Sequence, residues 1–281
     1  MIKVLLAPSL ADTQALDPDA TVEAEYGTAV VLGRHATLAH HAPGWTHNPA
    51  PCVAEVGNPL PDGATIVVSH VDLDTIGGVL ALMGEKPQSP AFWEAAAFVD
   101  THGPHRVREV GPRQQRELRA WWAWNAGQPR KPRVVTEVTE VTSDVLNAGE
   151  VLFEILAGDE DLLSAGDAWA ASVEVATETC VVAEDSRVRV FVTERVFCSA
   201  SYYSPKQRTV VPATATWNTT TGAVTIACEG GQFDARQIAQ SLWGPEAGGH
   251  VGIAGSPRGK KMTREDLDAA AEAVRSALAS H

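Results

Sequence analysis

The chain has 281 residues, enough for one large domain or two modest ones with a well-buried core. Its 22 Lys and Arg against 35 Asp and Glu give a net charge of −13, a field that repels long nucleic acid but admits a short phosphorylated ligand held through metal. No stretch approaches the roughly 20 apolar residues that span a bilayer, no signal-peptide pattern opens the chain, and the four cysteines form no paired framework, so a cytoplasmic protein with reduced thiols and no membrane partner is expected.

After a first apolar segment, residues 28–32 and 36–39 read as strands paired around Gly33 and Arg34. They lead into a loop rich in Pro, Gly and Asn, residues 40–52. Together with His35 this loop holds four of the nine histidines. It is either solvated surface or a metal or substrate loop positioned by a scaffold. Residues 64–68, a β-branched run after Pro61-Asp62-Gly63, read as a short buried strand, and 76–83 as a helix. His70, Asp72 and Asp74 therefore fall beyond the carboxyl end of a strand, where open α/β sheets hold ligands. At positions i, i+2 and i+4 of an extended segment they share one side. One imidazole and two carboxylates suit a divalent ion of intermediate hardness, such as Mn²⁺, better than a thiol-rich zinc site does.

Ser89 and Pro90 start a helix that continues through Val99 and runs into Asp100, His102 and His105. These are a second set of ligand types, although a plain helix C-terminus would also favour imidazole there. Residues 112–125 read as a helix in which Leu118, Trp121, Trp122 and Trp124 are core, in preference to a platform for a base. Residues 128–133 read as a break. Ser143 and Asp144 cap a helix through Leu156, and an acidic helix begins near Asp159, with Asp159, Asp161 and Asp167 on its start and solvated face. From Cys180 the pattern turns to alternation: 187–196, 209–215 and 223–228 read as strands and 234–242 as a helix. A last helix, capped by Thr263, carries Leu267, Ala270, Val274 and Leu278 on one face. The expected class is α/β, an N-terminal α/β domain with a mainly parallel sheet followed by a smaller C-terminal α+β domain.

Residues 248–259 include five glycines, which permit positive φ and a close approach of N–H groups to an anion. His250 lies among them, with Arg258, Lys260 and Lys261 at the end. The loop follows a helix, not the first strand of a nucleotide fold, so a dinucleotide site is disfavoured.

His70-Val71-Asp72-Leu73-Asp74, taken with Val224-Thr225-Ile226-Ala227, Asp234 to Ala239 and Gly248-Gly249-His250 followed by Ala254-Gly255, resembles the DHH phosphoesterase superfamily. The first segment is similar to that family's His-x-Asp-x-Asp motif. The later pieces are similar to the strand, helix and Gly-Gly-Gly-His loop that end its substrate-binding domain. The resemblance implies a metal-binding domain over residues 1–178 and a substrate-binding domain over 179–281 whose glycine-histidine loop closes on the substrate. It implies one or two Mn²⁺ ions, with His70, Asp72, Asp74 and Asp100 as ligands. Gly248, Gly249, His250 and Arg258 would contact the substrate. The chain departs from the family in having no Asp-His-His triplet; the nearest are Asp100-Thr101-His102 with His105, and Ala39-His40-His41. His40 and His41 are therefore taken as further candidate ligands, and His102 and His105 as candidate catalytic groups beside Asp72 and Asp74.

The function expected from this resemblance is hydrolysis of small phosphorylated substrates, short oligonucleotides or nucleotide phosphates, by metal-activated water. The alternatives are metal-dependent hydrolysis of an amide or ester, and non-catalytic binding of a nucleotide or sugar phosphate. A homodimer is compatible with the sequence.

Overall fold

A computed structural model describes residues 1–26, 28–42, 44–129, 136–257 and 259–279. The chain divides into two compact units, Met1–Ala170 and Ala171–His281. Both are mixed α/β, the first around a mainly parallel sheet and the second around a mainly antiparallel one. Among the described residues no helix is long and apolar enough to cross a membrane.

The sheet of the first unit has five strands: β1 (Lys3–Leu6), β2 (Ala20–Val22), β3 (Ala36–Leu38), β4 (Thr65–Val68) and β5 (Thr139–Glu140), in the order β3-β2-β4-β1-β5. The first four run parallel and β5 is antiparallel at the edge beside β1. A parallel sheet covered on both faces needs strands that are apolar throughout. Val4, Ala20, Val22, Ile66, Val67 and Val68 are all buried. Residues 28–32 and 36–39 do not pair with each other as the sequence suggested. Ala29–Val30 closes a small hairpin with Glu25–Tyr26, while β3 joins β2 in parallel. An alternating short run carries no information about which neighbour it will choose, and the parallel partner was upstream of the apparent turn.

Helix α1 (Leu10–Ala15) follows β1, and α2 (Leu73–Met83) follows β4. Asp72 is the N-cap of α2, accepting from the Thr75 N–H at 2.9 Å, and Gly84 in the left-handed region ends it. Helix α3 (Pro90–His102) carries Asp100 in its last turn. Then come α4 (Pro112–Gly127), α5 (Thr142–Ala157) and α6 (Glu160–Glu178), the last of which contains the division between units. Thr142 at the start of α5 accepts from the Val4 N–H at 2.9 Å, tying that helix to the sheet. The core of the unit gathers Leu80, Phe92, Leu118, Trp121, Leu152 and Ile155 from these helices. Trp121 is buried core, while Trp122 and Trp124 are half-buried against it. Most of the break expected at 128–133 lies outside the described residues.

The second unit has a six-stranded sheet of β6 (Val181–Glu184), β7 (Val188–Thr193), β8 (Ala213–Asn218), β9 (Ala223–Cys228), β10 (Gly248–Gly249) and β11 (Ile253–Gly255), ordered β10-β11-β9-β8-β7-β6. Only the β7–β8 pairing is parallel. Helices α7 (Ala235–Trp243) and α8 (Arg264–Ala279) complete it, and Leu267, Ala270 and Val274 of α8 share a core with Val190, Ala215 and Ile226. Arg189 is buried within β7. Its guanidinium pairs with Glu184 at 2.8 Å and with Glu178, and donates to the Ser201 and Tyr203 carbonyls, which leaves no uncompensated charge.

Candidate metal centre

Strand register assembles the site. Val22 pairs with Leu38 on one side and Val68 on the other, so the carboxyl ends of β2, β3 and β4 lie level. The next residues along these strands are Glu23, the Ala39-His40-His41 segment and the Ser69-His70 segment. An acid and three imidazoles thus emerge at the edge where open α/β sheets place their ligands.

Glu23 is at the middle of this edge and is fully buried. Its φ of 49° puts a non-glycine residue in the left-handed region, a strained conformation of the sort that clusters at functional sites. One carboxylate oxygen, Oε1, lies 3.0 Å from His40 Nε2 and 3.1 Å from His41 Nε2. The other, Oε2, lies 3.0 Å from His70 Nε2 and accepts from the Thr75 hydroxyl at 2.7 Å. Asp72 Oδ2 is 3.3 Å from His70 Nε2. On the opposite flank His40 Nε2 is 3.3 Å from Asp74 Oδ2 and 3.5 Å from Asp100 Oδ2.

The group forms three overlapping sets able to hold a metal: Glu23, His40 and His41; Glu23, His70 and Asp72; and His40, Asp74 and Asp100. Four of the converging atoms, Glu23 Oε1, His40 Nε2, Asp74 Oδ2 and Asp100 Oδ2, are buried without a hydrogen-bond partner. Buried polar atoms are almost always satisfied, and several such atoms aimed at one point make a set that could hold a cation. The donor set of imidazoles and carboxylates, without thiolate, fits a divalent ion. Cys52 is close by, but burial pushes its thiol well above the ordinary range, and it serves through its backbone instead.

A second tier of contacts fixes the first. Asp74 Oδ1 accepts from the Cys52 N–H at 2.8 Å, leaving Oδ2 as the free donor atom. Asp72 spends Oδ1 on the α2 cap and turns Oδ2 to His70. The Ser69 hydroxyl donates its one proton to the Glu23 carbonyl, so toward His70 Nδ1, 3.0 Å away, it acts as acceptor. That arrangement keeps Nδ1 protonated and presents Nε2 to the centre, the usual device for orienting a ligand imidazole. Glu25 Oε1 accepts from the N–H groups of His41 and Ala42, at 3.1 and 2.9 Å, and holds the histidine loop.

The charges are tightly coupled. Burial pushes the Glu23 carboxyl up, but His40, His70 and the Thr75 hydroxyl outweigh it and hold Glu23 well below the usual carboxylate range. Burial disfavours the His40 cation, yet Asp74 and Glu23 raise it to about 10. Asp72 and Glu23 likewise raise His70 to about 10 against its burial. Burial and the neighbouring charges of Asp74, Asp72 and Glu23 push Asp100 up to about 6.

The structure therefore brings His40, His41, His70, Asp72, Asp74 and Asp100 together and adds Glu23, which sequence reasoning missed. The available signal was an acid directly after the short Ala20-Thr21-Val22 strand. His102 and His105 are in none of these sets. His102 turns Nδ1 back to the Phe98 carbonyl at 3.0 Å and stacks on the Phe98 ring, and the His105 ring packs over Gly103. Asp159 caps its own helix and Asp167 pairs with Arg116. In the second unit Gly248 and Gly249 form edge strand β10, and His250 is exposed in the turn to β11. A Cβ at Gly249 would come within 2.5 Å of the Ile253 carbonyl, so this glycine has a packing reason as well. Arg258 lies outside the described residues, as does Pro43 of the histidine loop.

No family model matches the chain, and no curated protein does. Among solved structures it is similar to an uncharacterized protein from Helicobacter pylori G27, with 12% identity and a TM-score of 0.26 over 66% of this chain and 53% of that one. It is also similar to an exopolyphosphatase-related protein from Bacteroides fragilis, with 10% identity and a TM-score of 0.27 over 81% of this chain and 64% of that one. The chain thus spans less than two thirds of the length of either, and likeness at this level carries no argument about activity.

Proposed function

We propose that the first unit is a metal-dependent phosphoesterase acting on small phosphorylated substrates, in which Glu23, His40, His41, His70, Asp72, Asp74 and Asp100 would hold one or two divalent ions of the Mn²⁺ type. The observation that carries this reading is the convergence of orphaned, buried donor atoms from Glu23, His40, Asp74 and Asp100. Glu23 faces different partners with its two oxygens, His40 and His41 with one and His70 with the other. Ions bound there would supply Lewis-acid activation of water and neutralise charge on a phosphoryl group, the usual service of paired metals in phosphatases and nucleases.

The chain's own residues supply orientation. Thr75, Cys52 and Ser69 fix Glu23, Asp74 and His70, so the donor atoms are set before a ligand arrives. Asp100 Oδ2 lies with His40 Nε2 and Asp74 Oδ2 on one flank and would complete the ligand set there. Thr46, Asn48 and Thr101 line an open cleft against His40, His41 and Asp100, through which water and substrate can approach.

The test is phosphate release from a panel of nucleotides, short oligonucleotides and simple phosphomonoesters with added Mn²⁺, with chelator as control. Asp74→Asn is preferred to a change at Asp72, because Asp72 also caps α2. The expected outcome is Mn²⁺-dependent release, reduced about a hundredfold or more by Asp74→Asn. Release unaffected by chelator and by the substitution would contradict the proposal. Hydrolysis confined to amides or carboxylic esters would place the centre on another bond.

A further inference from the structure

Lys86, in the segment between α2 and α3, is tied to the acidic centre through a single residue. Its half-buried ammonium donates to the carbonyl of Cys52. It also sits over the ring of buried Trp93, with Nζ 5.0 Å from the ring centroid. Fixing a lysine stem costs rotamer freedom, so lysines ordinarily stay extended in water. Exposed Glu94 lines the same cleft of about 520 Å³ and would be the simpler partner, yet the ammonium is turned inward to a carbonyl and an indole.

Cys52 is where this contact meets the centre. Its N–H donates to Asp74 Oδ1 at 2.8 Å, and its thiol to the Trp93 carbonyl at 3.6 Å. The Trp93 indole N–H donates in turn to the carbonyl of Pro87, the residue after Lys86, at 2.9 Å. The bonds within the turn run from the N–H groups of Val53 and Ala54 to the Ala50 carbonyl, and they leave both polar groups of the Cys52 backbone to partners outside it. Asp74 takes the N–H and Lys86 takes the carbonyl. The peptide planes on the two sides of Cys52 are therefore fixed from opposite ends, and neither can rotate without breaking a buried hydrogen bond. Loss of the Lys86 end frees the residue whose N–H decides which Asp74 oxygen faces His40 and Asp100.

We infer that Lys86 is a positioning residue of the metal centre. By holding the Cys52 carbonyl it fixes the N–H that orients Asp74, and so sets the affinity of the His40, Asp74 and Asp100 group for a divalent ion. The inference rests on the metal reading of the centre for its consequence, and on the Cys52 turn for its geometry.

The experiment compares the full-length protein with Lys86→Met, Lys86→Arg and Lys86→Gln. In chelator, hydrogen exchange of the Cys52 amide is followed by NMR against the amides of Val4 and Ile66, which are buried in the sheet. Lys86→Met is expected to speed exchange at Cys52 about tenfold more than at the sheet amides. Lys86→Arg, which keeps the charge and a donor, is expected to restore protection. With Mn²⁺, isothermal titration is expected to show binding about tenfold weaker for Lys86→Met and restored most of the way by Lys86→Arg. Lys86→Gln, a neutral donor on a shorter stem, carries the same expectation as Lys86→Met should that variant not fold. Mn²⁺ bound equally well by wild type and by Lys86→Met would keep the centre and overturn the inference, as would unchanged exchange at Cys52. Faster exchange at Cys52 in a protein whose wild type binds no Mn²⁺ would overturn the metal reading, and with it the consequence drawn for Lys86, while keeping its hold on Cys52.

Discussion

The hydroxyl of Thr75 and the backbone N–H of Cys52 are the least conspicuous parts of the centre, and they show how it is held. Thr75 sits in the first turn of α2 and donates to Glu23, while Cys52 fixes which Asp74 oxygen faces inward. Thr75→Val keeps the shape and removes the hydroxyl, so it is expected to weaken Mn²⁺ binding about tenfold while leaving the fold intact, as isothermal titration with matched circular dichroism spectra would show. Affinity equal to wild type would mean that Glu23 needs no such partner. At this scale the sequence was partly legible. His70, Asp72 and Asp74 advertise themselves because three ligand types alternate after an apolar run. Glu23 does not, because a single acid far upstream acquires its meaning only when β2 and β4 pair in parallel. His102 and His105 fall outside the three candidate sets: the His102 ring turns to the Phe98 carbonyl and the His105 ring lies near Gly103.

At the scale of elements, α2 is the device that converts register into a site. It has glycines at 77 and 78, costly inside a helix, because the helix must approach its neighbours closely. A Cβ at Gly77 would meet Cys52 Cβ at 2.6 Å and the Trp93 ring at 2.8 Å, and one at Gly78 would meet Pro51 at 2.8 Å. Gly77→Ala is accordingly expected to destabilise the first unit by roughly 1–3 kcal/mol in denaturant unfolding. It should also lower metal affinity, because Cys52 is the residue displaced and its N–H holds Asp74. Loss of stability without any change in affinity would separate the packing from the site. Strand β4 and helix α2 were legible from the apolar run, the preceding Pro-Asp-Gly turn and the change of period. The partner of residues 36–38 was not, since short strands declare their alternation and not their neighbour. The glycine-rich segment was read as an anion loop, yet part of it is an edge strand in which Gly249 packs against the backbone of β11.

At the scale of the whole molecule, four carboxylates, those of Glu23, Asp72, Asp74 and Asp100, share one site. Held together, these four carboxylates would repel one another strongly, and His40 and His70 compensate by holding protons up to about pH 10. Their folded-state affinity for protons lies above the ordinary histidine value of about 6.5. The stability they contribute is therefore fully present below about pH 6.5 and is lost as pH rises through about 10. Asp100 is raised as well, so burying it favours the fold below the ordinary carboxyl range and that contribution fades as pH rises through about 6. Metal must displace the imidazole protons, so Mn²⁺ binding is expected to release protons and its apparent affinity to rise from about pH 6 to about pH 9. Titrations in buffers of differing ionisation enthalpy measure this release directly, and an affinity independent of pH would show that His40 and His70 do not bind. The α/β class and the mainly parallel first sheet could be read from the order of apolar strands and periodic helices. The centre itself could not, because it is a product of register among three strands whose sequences are far apart.

The most direct measurement is electron paramagnetic resonance of the Mn²⁺-loaded protein, compared with Glu23→Gln. The wild-type chain is expected to show the spectrum of protein-bound Mn²⁺, and Glu23→Gln to lose most of the bound metal. An absence of bound Mn²⁺ in the wild-type protein, or binding unchanged by Glu23→Gln, would contradict a metal centre held by Glu23.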